Sequence, residues 1–366
     1  MFYYVSIAVS SAMSLGIGWT LVRPLAVKKP VKIALYGALG VVWLMSITYM
    51  PLRRNGFFGS FLEDIFASSI MAIFSLFIAA VIGDWIVRAF KRPAVTKAVR
   101  ITIAIAVPIY LLYGFVSAQS APLIKRVTVQ SAKIAAPVTI AHLTDLHLGN
   151  GKLLEESFAA RIADQTSALN ADIVVITGDL VDAPLERVRA SLDIIARIKS
   201  RYGIFFVAGN HEYFNDLVPT LNYLESIGIK VLRNSSERVE GEFGTIDIAG
   251  VYDLSARRYN VLMPDPQKAL SETDDDNFIV ALAHQPKMAF EFPEKSFDLM
   301  MTGHTHGGQI FPFTIAVRFA QPYISGMYDH DERAKIFISN GVGYWGPPFR
   351  VLAPNQIGLI TLQSRN

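Results

Sequence analysis

A chain of 366 residues that is 52% apolar, with a mean hydropathy of +0.34, is too apolar for an average soluble domain. It contains no cysteine, which excludes disulfides, thiolate metal sites and a cysteine nucleophile. The net charge of +3 hides a split: residues 1–119 carry +8 and the rest −5, and the acidic half lacks the basic face that nucleic-acid binding needs.

Crossing the hydrocarbon core takes about 20 mostly apolar residues in helix. Four such stretches open the chain, at residues 3–21, 33–50, 65–87 and 101–117. The first has no basic n-region and no small-residue cleavage site before Arg23, so it reads as a span rather than a signal peptide. Pro108 falls inside the fourth, where a membrane helix tolerates it. Asp84, near the end of the third, reads as an interfacial residue. The first connection holds Arg23, Lys28, Lys29 and Lys32, and the third holds Arg88, Lys91, Arg92, Lys97 and Arg100. The second has only Arg53 and Arg54, beside Glu63 and Asp64. Basic connections mark the cytoplasmic side, so both termini and the domain that follows are expected outside the cell's inner membrane. The membrane domain is expected to cover residues 1–120.

From residue 121 the pattern changes to short apolar runs between amphipathic helices. Strands are predicted at 138–143, 173–177 and 204–207, alternating with helices at 153–169, 184–200 and 217–227. Such alternation implies parallel β-α-β units. Further strands are predicted at 230–232, 245–249, 278–283, 299–301, 335–339 and 357–362, with few long helices between them, so the later sheet is expected to be mixed. The expected fold class is a multi-span α-helical membrane domain followed by one α/β domain over residues 121–366.

Residues suited to divalent metals follow the apolar runs directly. They are Asp145 and His147; Asp179 and Asp182 after Gly178; Asn210, His211 and Glu212 after Gly209; His284; and His304 and His306 after Gly303. In α/β sheets ligands bind at the carboxyl ends of strands, so five strand ends of this kind converge on one site. Carboxylate, imidazole and amide donors without thiolate suit Mn, Fe or Zn. Two divalent ions about 3.5–4 Å apart can hold both a nucleophile and the oxygens of a phosphoryl group. Asp179 is central enough to serve both ions. Each piece alone is weak; the ordered set is what carries the reading.

These blocks resemble the signature of the calcineurin-like metallophosphoesterases: Asp145-x-His147, Gly178-Asp179-x-x-Asp182, Gly209-Asn210-His211-Glu212, His284 and Gly303-His304-x-His306. The resemblance covers residues 139–362. The extended block at 303–309 is similar to a bacterial membrane-associated branch, whose members act on phosphodiesters and, in some lineages, on the nucleotide-linked diacylglucosamine of lipid A synthesis. It implies a β-sandwich flanked by helices. It further implies one cation held by Asp145, His147, Asp179 and His306, and a second held by Asp179, Asn210, His284 and His304. His211 would contact the phosphate and protonate the leaving oxygen, with Asp182 orienting it.

The expected function is therefore metal-dependent hydrolysis of a phosphodiester or pyrophosphate bond, on a membrane- or envelope-linked substrate. The alternative is a catalytically silent metal-holding scaffold or receptor, which the intact His211 and Asp182 disfavour. A transporter is disfavoured by the lack of a polar pathway in the spans. Outside the main set, His142 reads as a core histidine and His330 as a solvated loop residue. Arg350 is a candidate clamp for a substrate phosphate, and Glu212 a candidate for orienting the Asn210 loop. The apolar, aromatic stretch 310–323 reads either as a buried loop or strand, or as a greasy surface near the bilayer.

Overall fold

The structure is a computed structural model that describes residues 2–54, 60–151 and 155–365. The chain divides into two compact units: Met1–Gln119 with Gly346–Phe349, and Ser120–Trp345 with Arg350–Asn366.

The first unit has four long helices: α1 (Phe2–Ile17), extended by a π-helical turn at Gly18–Val22, α2 (Lys29–Arg54), α3 (Ser60–Phe90) and α4 (Pro93–Gln119). Each is long and apolar enough to cross a membrane. Trp43 Nε1 donates to Ser11 Oγ at 3.0 Å, and the hydroxyls of Ser10 and Ser46 meet at 2.7 Å, so polar contacts tie α1 to α2. Asp84 pairs with Arg88 one turn away at 2.7 Å, and Arg53 pairs with Glu63 at 2.7 Å.

The second unit is built on two six-stranded sheets. The strands are β1 (Leu123–Ser131), β2 (Val138–Leu143), β3 (Ile173–Thr177), β4 (Ile204–Val207), β5 (Lys230–Val231), β6 (Ser235–Gly241), β7 (Gly244–Gly250), β8 (Phe278–Leu282), β9 (Leu299–Thr302), β10 (Gly326–Asp329), β11 (Lys335–Ile338) and β12 (Gln356–Ser364). One sheet runs β1-β12-β2-β3-β4-β5, the other β10-β11-β9-β8-β7-β6. Strands β2 to β5 are mutually parallel, as are β7, β8, β9 and β11. The helices are α5 (Glu155–Ser167), α6 (Leu185–Ile195), α7 (Asn210–Phe214), α8 (Leu217–Ser226), α9 (Ala256–Tyr259), α10 (Pro266–Leu270) and α11 (Phe313–Ala320). The start of the helix expected at 153–169 lies outside the described residues.

The continuous apolar runs reflect burial on both faces of each central strand. Alternation along the strands divides the side chains between two cores. Ile140, Ile173, Val175, Phe205 and Val207 meet Ile246, Phe278, Val280, Met301 and Phe337 of the other sheet. Ala141, Leu143, Val174, Ile176 and Phe206 face away, under Ile162 of α5, Leu192 of α6 and Leu221 of α8. The helix-flanked sandwich forms as expected.

Three strands escaped the sequence reading: β1, β6 and β10. The stretch 310–323 also differs from its buried reading. It contains α11, none of whose residues is buried. His330 is in a loop, as read, but only partly solvated: it lies half-buried, its ring 5.2 Å from that of Phe290 and 6.0 Å from that of Phe297.

Candidate metal centre

The turns after β2, β3 and β4 of one sheet, and after β8 and β9 of the other, deliver their polar residues to one place. Asp145, His147 and His306 form one close group, and Asp179, His284 and His304 a second. The facing donors are about one coordination edge apart. His147 Nε2 lies 3.1 Å from His306 Nε2, and His306 Nε2 lies 3.2 Å from Asp145 Oδ1. In the second group His284 Nε2 lies 3.1 Å from Asp179 Oδ2, 3.1 Å from Asn210 Oδ1 and 3.2 Å from His304 Nδ1. Ligands about 2.0–2.2 Å from a shared ion are separated by about 3.0–3.5 Å. Asp179 stands between the groups, its Oδ2 also 3.8 Å from His147 Nε2.

The backbone is bent to achieve this. Asp145, His147, Asp179, His304 and His306 all take left-handed conformations, with φ of 54°, 49°, 49°, 69° and 50°. Non-glycine residues rarely adopt that region, and such strain gathers at ligand clamps. Close approach also requires glycine at two positions: a Cβ on Gly209 would overlap the Asp179 carboxylate, and one on Gly303 the Asp145 carboxylate.

Surrounding hydrogen bonds hold the donors. His304 N donates to Asp145 Oδ2 at 3.0 Å, and Thr144 Oγ1 to the same oxygen at 2.9 Å. His284 Nδ1 lies 2.8 Å from Thr177 O; a carbonyl only accepts, so Nδ1 carries the proton and Nε2 presents its lone pair to the site. Glu212 collects three backbone donors: Gly209 N at 2.7 Å and Asp179 N at 3.0 Å on Oε2, and Val181 N at 3.0 Å on Oε1. It thereby ties two of the ligand turns together.

The electrostatics suit cations. Burial would raise the Asp145 and Asp179 carboxyls, yet the surrounding histidines hold both below the ordinary range. Burial pulls His147 down to about 4 and His304 to about 3, so these imidazoles are neutral at pH 7, the form that ligates metal. His211 differs. Burial lowers it, but the charges of Asp179 and Asp182 outweigh that and raise it to about 9. Its Nδ1 lies 2.7 Å from Asp182 Oδ1, and the backbone N–H of His211 donates to Asp179 Oδ1 at 2.8 Å. Two buried carboxylates, four imidazoles and an amide oxygen at these separations fit a pair of divalent cations.

The Arg350 expectation needs correction. This residue is 0% exposed, and its guanidinium donates to Gly343 O at 2.9 Å, Ala353 O at 2.9 Å and Asn340 O at 2.8 Å. Its Nη2 also lies 3.2 Å from His306 Nδ1. Burial pulls it down to about 9 against the opposing charge of Asp145. With its donors turned to backbone carbonyls beneath the site, it braces the His306 turn rather than facing a substrate.

Sequence reasoning missed the turn after β11. Val342 N donates to Thr144 O at 2.9 Å and Gly343 N to Asp145 O at 2.9 Å, so residues 340–343 back the first ligand turn. The only signal was an Asn-Gly-x-Gly run directly after an apolar strand. Beside the site, the rings of Phe214 and Trp345, both about half exposed, lie 5.0 Å and 6.5 Å from that of His211.

Comparison with known proteins agrees with this geometry. A family model described as calcineurin-like phosphoesterase matches residues 138–308. A metallophosphoesterase of Helicobacter pylori is 37% identical over 277 residues, 75% of this chain and 73% of that one. One from Campylobacter jejuni is 34% identical over 263 residues, covering 71% and 69%. A transmembrane protein with a metallophosphoesterase domain, from Danio rerio, is 34% identical over 263 residues, covering 69% of this chain and 60% of that one.

Proposed function

Because the chain belongs to the calcineurin-like metallophosphoesterases, we propose that it is a membrane-anchored hydrolase of phosphodiester or pyrophosphate bonds that uses two divalent cations. The observation that carries the reading is the Asp179 carboxylate standing between two groups of imidazole and carboxylate donors. Asp145, His147, Asp179 and His306 would hold one cation, and Asp179, Asn210, His284 and His304 the other. When bound, such a pair supplies Lewis acidity at the phosphoryl oxygens and activates water near neutral pH.

The remaining chemistry belongs to side chains of this protein. His211, kept protonated by Asp179 and Asp182, presents Nε2 to the leaving oxygen and gives it a proton. Asp182 fixes the ring by accepting from Nδ1. Glu212 keeps Asp179 and the Asn210 turn in register.

The membrane domain covers residues 1–120 and the hydrolase domain 121–366. It resides in the inner membrane with the hydrolase domain outward, a placement that rests on the basic first and third connections. A phosphoester carried by a membrane or envelope lipid is the substrate that this location favours. The test is purified full-length protein assayed on a nitrophenyl phosphodiester and on phospholipid and nucleotide-linked lipid substrates, with Mn²⁺, Fe²⁺ or Zn²⁺ added. Cation-dependent turnover is expected. Folded protein that takes up cations and turns over none of these substrates would favour a silent scaffold.

A further inference from the structure

The α11 helix turns most of its apolar side chains away from the protein. Its sequence, FTIAVRFA, places Thr314 and Arg318 on one narrow face and Phe313, Ile315, Ala316, Val317, Phe319 and Ala320 around the rest. The side toward the protein carries Thr314 and Val317, both half-buried, and Thr314 packs against Gly308, where an added Cβ would overlap it. The other apolar residues point out, with Arg318 exposed among them. Phe319 is 89% exposed, and Phe311, Phe313 and Ile315 are exposed beside it. A contiguous apolar patch of this kind marks a contact surface, because water-facing helices put their polar arc outward.

Chain connectivity says what lies within reach. Only Ser120, Ala121 and Pro122 separate the end of α4 from the start of β1. Three extended residues span at most about 11 Å. A domain tethered so closely to a spanning helix stays beside the bilayer. We propose that α11 is an interfacial helix, seated in the lipid surface with Phe313, Ile315 and Phe319 below the headgroups and Arg318 among the phosphates. The inference rests on the reading of α1 to α4 as membrane spans.

Seating α11 has a consequence for the metal centre. The helix follows the His306 turn after four residues. Gln309 links that turn to the mouth, donating to Trp345 O at 2.9 Å and accepting from Trp345 N at 3.0 Å. Embedding the helix therefore brings the mouth to the headgroup level, where a phosphoester on a lipid is presented without leaving the membrane.

The cysteine-free sequence makes the test direct, since one introduced cysteine is the only labelling site. Full-length F319C, L112C and E240C proteins, each carrying a nitroxide, are placed in nanodiscs of phosphatidylethanolamine and phosphatidylglycerol. Collisions with oxygen and with an aqueous nickel chelate are then measured by electron paramagnetic resonance. Leu112 is an exposed position on α4 and serves as the lipid reference; Glu240, exposed on β6, is the aqueous one. The expected result is that the Phe319 label, like that at Leu112, collides more with oxygen than with nickel. A Phe319 label that matches Glu240 while Leu112 reports lipid overturns the inference and leaves the spans intact. A Phe319 label shielded from both reagents reports protein packing, as in self-association, and also overturns it. If Leu112 itself reports water, the spanning reading fails and the inference falls with it.

Discussion

Asp182 Oδ1 lies 2.7 Å from Nδ1 of His211, and that contact sets both the orientation and the charge of the ring. A histidine held this way presents Nε2 in one direction and stays protonated to higher pH than a free imidazole. His211→Ala is expected to keep both cations, by elemental analysis, while kcat falls by about 10²–10⁴-fold, the range of general acid catalysis. Asp182→Asn removes the nearer charge and lowers the His211 pKa. The acid must be protonated to act, so activity is lost as pH rises through its pKa. The alkaline limb of the D182N rate profile is therefore expected at lower pH than in the wild type. An unmoved limb would assign the proton to another group.

Asp179 touches both donor groups, so its substitution has a different signature. Asp179→Asn keeps the shape and the backbone bonds but removes the one charge common to the two groups. Loss of both cations is expected, and activity on a nitrophenyl phosphodiester should fall to background. His284→Ala removes a donor from the second group alone, and one cation should remain. Equal losses in the two variants would contradict the separate grouping.

Legibility in the sequence followed burial. The central strands β2, β3, β4, β8 and β9 are covered on both faces, so they read as apolar runs, and their ends marked the ligand turns. The missed strands β1, β6 and β10 are all sheet edges. Strand β1 exposes Lys125 and β6 exposes Glu237 and Glu240, so neither shows an apolar run; their pairing comes from the neighbouring strand. For the same reason α11 was ambiguous. Its composition signals burial, and only the fold reveals which way the apolar face points. Arg350 misled because an arginine near phosphate chemistry looks like a clamp, whereas its partners are backbone carbonyls that no sequence pattern announces.

The corrected role of Arg350 is measurable. A phosphate clamp would raise KM when shortened and leave the fold intact. A buried brace does the reverse: Arg350→Lys leaves carbonyls of the 340–343 turn and Ala353 without donors, and each unmet buried group costs about 1–3 kcal/mol. A clear drop in the thermal midpoint is expected, with weakened cation binding through His306 and an unchanged KM in the fully loaded fraction. A raised KM without loss of stability would restore the clamp.

His142 supplies a pH dependence that is separate from the chemistry. It is fully buried on β2, its Nε2 2.7 Å from Thr177 Oγ1, and its Nδ1 has no hydrogen-bond partner among the described residues. A proton on Nδ1 would thus be buried without an acceptor. Burial pulls the pKa down to about 3, against a smaller raising effect from Asp145. The unfolded chain takes up this proton near pH 6.5 and the folded chain does not until much lower pH. Above pH 6.5 both states are neutral and the full stability is present. Below it the unfolded state binds more protons, so stability declines by about 1.4 kcal/mol per pH unit for this one group. His142→Gln keeps a polar partner for Thr177 but does not titrate. Its thermal midpoint, followed from pH 8 to 4.5 with saturating cation, is expected to fall less steeply than that of the wild type. The difference between the two slopes isolates His142, because the other histidines are the same in both proteins. Parallel slopes would mean that His142 takes up its proton in the folded state, against the burial and missing acceptor that hold its pKa down.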